Sequence, residues 1–107
     1  MSAIRKHSLN LKSGARVHLE WTLPALRDLR EAGDFIALDN SQAAKRMADR
    51  VQEAVEYLTY HPSMGRQGRV SGTRELVVSG TPFIVVYRVI MPSVQILRVL
   101  HHARKWS

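Results

Sequence analysis

The stretch Gly65–Trp106, GRQGRVSGTRELVVSGTPFIVVYRVIMPSVQILRVLHHARKW, decides the fold. The segment reads like paired strands, in three runs rich in strand-forming residues, Thr73 to Val78, Phe83 to Ile90 and Val94 to His101. Ser79-Gly80-Thr81-Pro82 and Met91-Pro92-Ser93 divide the runs with residues that favour turns. The shorter second connection makes the last two strands a hairpin. The same stretch carries Arg66, Arg69, Arg74, Arg88, Arg98, Arg104 and Lys105 against a single acid, Glu75. The sheet is therefore expected to be basic and to meet something negative.

Working upstream, Arg16 to Trp21 sets Val17, Leu19 and Trp21 on one face, the pattern of a short strand. Thr22 then offers a helix N-cap, and Pro24 falls in the first turn, where its missing N–H costs little. Leu26, Leu29 and Ile36 recur on one face of that helix. Asp39, Asn40 and Ser41 end it and supply the next cap. Ala44, Met47, Ala48, Val51, Val55 and Leu58 then follow the 3, 4 and 7 spacing of a second amphipathic helix. That helix stops before His61 and Pro62, and SMGRQGRVSG reads as a glycine-punctuated loop. The order β-α-α-β-β-β predicts an α+β domain, with a helical hairpin packed on one face of a mostly antiparallel sheet. Residues 16–107 form this single domain, preceded by a basic N-terminal tail over residues 1–15.

A chain of 107 residues is long enough to bury one core without staples. It has no cysteine, so neither a disulfide framework nor a cysteine-held metal can be built. No apolar run approaches the roughly 18 residues of a membrane span. The opening MSAIRKHSLNLKSGAR lacks the continuous apolar core of a secretory signal. A cytoplasmic protein is expected. The net charge of +7 is unevenly placed. Residues 1–60 hold nine Lys/Arg against eight acids, whereas residues 61–107 hold seven against one. Basic surface of that kind steers a protein toward phosphate backbones, acidic partner segments or anionic lipid.

Carboxylate chemistry is the easiest class to set aside. A magnesium nuclease needs two or more clustered acids, and the basic half offers only Glu75. The acids on the helices fall among Lys and Arg at helical spacing, as solvated faces do. No nucleophile elbow, P-loop, HExxH or dinucleotide fingerprint occurs, and no metal or cofactor is expected. The histidines remain. Imidazole titrates near neutral pH and suits metal-independent RNA cleavage, in which the ribose 2′-OH attacks the adjacent phosphate. One group takes the hydroxyl proton, another protonates the leaving 5′-oxygen, and Arg or Lys stabilises the added negative charge. If the last strand runs through His102, alternation separates His101 from His102 and sets Arg98, Leu100 and His102 on one side. That pairs Arg98 with His102 as candidate catalytic residues. Arg66, Arg69, Arg74, Arg104 and Lys105 are candidate contacts to an RNA backbone, and Trp106 could stack on a base or cover the end of the core.

The combination GRxGRV, GTRELVV, TPFIVVYRV and ILRVLHHARKW resembles the RelE/ParE superfamily of bacterial toxins from type II toxin–antitoxin modules. The likeness spans residues 17–106, with Tyr87-Arg88-Val89 and Arg98-Val99-Leu100-His101 its most specific pieces. It implies a small α+β toxin held inactive by a cognate antitoxin whose acidic, amphipathic tail wraps it. It also implies one of two targets. RelE-like members cut mRNA on the ribosome, whereas ParE-like members poison DNA gyrase without catalysing a reaction. Ile84 stands where RelE has a catalytic arginine, a departure from that branch. The spacing of Arg98, His102 and Trp106 is similar to the YafQ branch of ribosome-dependent endoribonucleases, although Val78 stands where that branch has a further histidine. From these likenesses we expect ribosome-dependent mRNA cleavage, with gyrase inhibition as the alternative.

Overall fold

The computed structural model describes residues 3–6 and 17–102. In chain order its elements are β1 (Ala3–Lys6), β2 (His18–Thr22), α1 (Leu23–Ala37), α2 (Ser41–Leu58), β3 (Arg66–Gln67), β4 (Arg74–Val77), β5 (Phe83–Ile90) and β6 (Ser93–His101). Both helices begin where a side-chain oxygen can take an orphan amide. Thr22 Oγ1 accepts from Ala25 N at 3.4 Å, and Asn40 Oδ1 accepts from Ala43 N at 3.0 Å. Among the described residues, no helix is long and apolar enough to cross a membrane.

The strands form one sheet in the order β1-β2-β6-β5-β4-β3. β2 runs parallel to β6, and the other neighbours are antiparallel. The two helices pack together on one face, so the α+β architecture stands, with a strand added at each edge. Part of the segment expected as a basic tail, Ala3–Lys6, pairs along β2 and covers backbone groups that β2 would otherwise expose on that side. Between the helices and the sheet lie Leu19, Trp21, Val51, Val55, Leu58, Val85, Tyr87, Val94, Ile96 and Val99.

The core residues of β6 reveal a break in its alternation. Val94 and Ile96 point into the core, but so does Val99. The reason lies in the pairing with β5: Tyr87 faces Ile96 and Val86 faces Arg98, leaving Leu97 as an extra residue. An inserted residue of this kind shifts the phase of the strand and bends it. Beyond the bulge, β6 also loses β2 as a neighbour, because the chain there has already turned into α1. Side chains take over the ladder. The Thr22 hydroxyl donates to Ile96 O at 2.8 Å, and Asp28 Oδ2 accepts from Val99 N at 3.0 Å.

A candidate docking cavity at the end of the central strand

The bulged end of β6, the exposed flank of α1 and the start of β5 enclose an open cavity of about 900 Å³, which the loop at Val70 and Thr73 closes from the side. Its walls are mostly apolar: Ala32, Phe35 and Ile36 from α1, Pro82, Phe83 and Val86 around β5, and Leu97, Val99 and Leu100 from β6. Asp28, Glu31, Arg98 and His101 supply the polar rim. Phe35 stays 66% exposed and Leu38, just past the end of α1, 81%. Large apolar side chains left this open beside a concavity mark an interaction surface.

Arg98 dominates the rim. Its Nε donates to Asp28 Oδ2 at 2.6 Å and its Nη2 to Asp28 Oδ1 at 2.9 Å, a forked pair. The Arg98 side chain is 50% exposed, whereas that of Asp28 is only 13% exposed. The hydrogen bonds to Asp28 raise the pKa of the guanidinium above its ordinary value, overcoming a smaller opposing effect of burial. Arg98 therefore keeps its charge at every accessible pH. One edge of it, Nε with Nη2, is held by Asp28, while half of the side chain stays in solvent.

The histidines are arranged differently from the expectation that they point to opposite faces. β6 ends at His101, and His102 begins a turn. Strand alternation no longer applies there, and the two rings lie side by side, centroids 5.9 Å apart and 29° from parallel. His101 also meets Phe83 edge-on at 5.4 Å. His102 is exposed and its amide donates to Pro82 O at 2.9 Å. It is His101, not His102, that joins Arg98 among the described residues lining the cavity.

The loop arginines gather elsewhere. Glu75 sits on β4 with a side chain only 2% exposed. Its Oε1 accepts from Arg66 Nη2 at 3.4 Å, and its Oε2 accepts from the Arg69 backbone amide at 3.1 Å. Arg74 Nη1 donates to Gly65 O at 2.7 Å and Ser63 O at 3.3 Å. Beneath them the Tyr87 hydroxyl accepts from Gly65 N at 2.8 Å and donates to Pro62 O at 2.8 Å. Burial raises the pKa of Tyr87 above its ordinary value. Gly65 is required by this close approach, since a Cβ there would lie 2.7 Å from the Tyr87 hydroxyl oxygen. Arg88 belongs to a third group, donating to Gln95 Oε1 at 2.7 Å, while Gln95 donates in turn to the buried Glu20 at 2.9 Å. Arg104, Lys105 and Trp106 lie outside the described residues.

The residues that sequence reasoning missed are acids. Asp28 shares a helical face with Ala32 and Phe35 at the 4 and 7 spacing, next to the core stripe. An acid continuing an apolar stripe was the available signal that Asp28 is not a solvated surface charge.

Residues 19–106 match the family described as the ParE toxin of the type II toxin–antitoxin system parDE. Y4kP of Sinorhizobium fredii, named as a candidate toxin, is 44% identical over 92 residues, covering 86% of this chain and 95% of its own length. Toxin RelE2 of Caulobacter vibrioides is 39% identical over 84 residues, covering 78% of this chain and 93% of its own. A solved chain of the chromosomal ParDE system of P. aeruginosa superposes with a TM-score of 0.72 at 29% identity, covering 83% of this chain and 98% of that one. A two-helix, mixed-sheet domain with an open cavity at its central strand is thus a toxin of the RelE/ParE superfamily. The chain belongs to the ParE toxin family of type II toxin–antitoxin modules, and an antitoxin is its implied partner.

Proposed function

We propose that this toxin arrests growth by binding rather than by cutting, as a ParE-like inhibitor of DNA gyrase that seats on its cytoplasmic target through the cavity between α1 and β6. One observation carries the reading. Among the described residues, Arg66, Arg74 and Arg98 already bond to Glu75, to backbone carbonyls and to Asp28, whereas the open concavity is walled by Phe35, Ile36, Leu97 and Leu100. Exposed aromatic and aliphatic anchors around one half-exposed arginine are what a protein partner uses. The acidic tail of the cognate antitoxin would neutralise the toxin by covering the same end.

A second reading, ribosome-dependent mRNA cleavage, is favoured by the two adjacent imidazoles at the end of β6. Arg98 would stabilise the phosphorane-like transition state and His102 would act as general acid. Arg66, Arg69, Arg74, Arg104, Lys105 and Trp106 would then hold RNA. The two are separated by assaying gyrase supercoiling with the purified full chain and by mapping transcript 5′ ends after brief induction. Blocked supercoiling with intact transcripts supports the gyrase reading. Cleaved transcripts with unimpaired supercoiling reject it in favour of the nuclease, and His102→Ala should then abolish toxicity.

A further inference from the structure

The Asp28 carboxylate makes three hydrogen bonds at one corner of the cavity. It accepts from Arg98 Nε and Nη2 and, through Oδ2, from the amide of Val99. It therefore joins two functions in one group. It replaces the missing β2 neighbour for the bulged end of β6, and it fixes the plane of Arg98, the only arginine among the described residues on the cavity rim. A long flexible side chain that is half exposed would otherwise lose rotamer freedom on meeting a partner, at a cost of affinity. Holding Nε and one edge of Nη2 from below leaves the outward edge of the guanidinium presented in a single orientation.

We propose that Asp28 is a positioning residue, one that orients Arg98 toward the target while making no contact with it. The inference rests on the reading that the Arg98 cavity meets the target, whichever target that is. The ion pair of a merely structural clasp between α1 and β6 would be indifferent to which partner carries the positive charge, although an arginine at residue 28 could not accept from the Val99 amide. A positioning carboxylate requires the arginine to stand at residue 98, on the cavity side.

The test uses the full chain with Asp28→Asn, Arg98→Lys, Arg98→Ala and the exchanged pair Asp28→Arg with Arg98→Asp. Plating after induction reads toxicity, and thermal unfolding of each purified protein reads the fold. Asp28→Asn retains an acceptor for the Val99 amide but loses the charged fork. It is expected to keep a cooperative transition and to lose toxicity about ten- to a hundredfold, the effect of one charge-assisted hydrogen bond. Arg98→Lys keeps the charge without the fork and should lose toxicity to the same degree. The exchanged pair restores opposite charges but leaves the Val99 amide without its acceptor, so it should fold with a lowered melting temperature while staying non-toxic. Full toxicity of Asp28→Asn beside a non-toxic Arg98→Ala overturns the inference alone, as does an exchanged pair that regains both fold and toxicity. Full toxicity of Arg98→Ala overturns the site itself. Should Asp28→Asn or the exchanged pair fail to fold, Arg98→Lys decides, because its half-exposed position tolerates the change; full toxicity in that variant rejects the role of the fork.

Discussion

Two places among the described residues bring arginine to a largely buried carboxylate, and they use it differently. At the 65–75 loop the acid is the buried partner and sits beneath the arginines: Glu75 receives Arg66 and the Arg69 amide, while Arg74 and Tyr87 tie the adjoining backbone. At the end of β6 a single fork holds Arg98 from one side and leaves half of it in solvent beside an apolar cavity. The first arrangement closes a loop that has little regular structure of its own. The second fixes a guanidinium in a two-point fork beside an apolar wall, whereas the Arg66 and Arg69 side chains stay no less exposed, at 62% and 54%. Arginines that look equivalent along the chain thus differ in which groups remain available to a partner.

The largest effect should come from the loop. Glu75→Ala strands the Arg69 amide and removes the anchor beneath two cations, with an expected loss of about 2–4 kcal/mol in urea denaturation. A loss below about 1 kcal/mol would break the comparison, because the loop arginines would then be free to serve a ligand. Tyr87→Phe removes the hydroxyl shared by Gly65 N and Pro62 O and should cost about 1–3 kcal/mol.

That second variant also carries a pH signature. The Tyr87 pKa is raised in the folded state, so above the ordinary tyrosine value near 10 the folded protein holds a proton that the unfolded chain releases. The stability from this group is complete below that pH and disappears as pH rises through the folded value. Wild-type stability should therefore fall more steeply than that of Tyr87→Phe in alkaline titration. Parallel curves would mean that the hydroxyl is not held in the loop's hydrogen-bond network.

The smaller stability effects belong to the cavity, where function should move instead. Arg98→Ala is expected to cost about 1–2 kcal/mol, because the mostly buried Asp28 loses its fork but keeps the Val99 amide as a donor. The same variant should lose toxicity in plating assays. Smallest of all, Phe35→Ser should stay within about 0.5 kcal/mol of wild type by thermal unfolding, as exposed substitutions do. It should nevertheless weaken gyrase inhibition about tenfold if Phe35 is an anchor at the interface. Unchanged inhibition would move the docking surface away from α1.

The comparison also explains which expectations the amino-acid pattern could carry. The helices were legible because Leu26, Leu29 and Ile36, and then Met47, Val51, Val55 and Leu58, repeat at helical spacing next to a capping Thr22 and Asn40. The three later strands were legible as runs of strand-forming residues bounded by turn residues. The edge strands were not: Ala3–Lys6 and Arg66–Gln67 exist because a neighbouring edge needs backbone partners, and short polar segments carry no apolar pattern to announce that. The site was legible in half. Arg98 and a terminal histidine could be picked out by type. Their relation could not, since it depends on where β6 stops and turns, and hence on the ring contact between His101 and His102.

By itself the sequence determined the helical hairpin, the antiparallel run from β4 to β6, the concentration of positive charge in the second half and kinship with the RelE/ParE superfamily. These follow from periodicity, composition and local motif, all of which act over a few neighbouring residues. Only the tertiary structure decided that β2 pairs with β6, that Leu97 bulges, that Asp28 crosses 70 positions of chain to hold Arg98, and that the buried Glu75 bonds Arg66 and the Arg69 amide. Each of these is a meeting of distant segments. A charge is free or committed according to what the packed chain brings within hydrogen-bond reach, which no local pattern records.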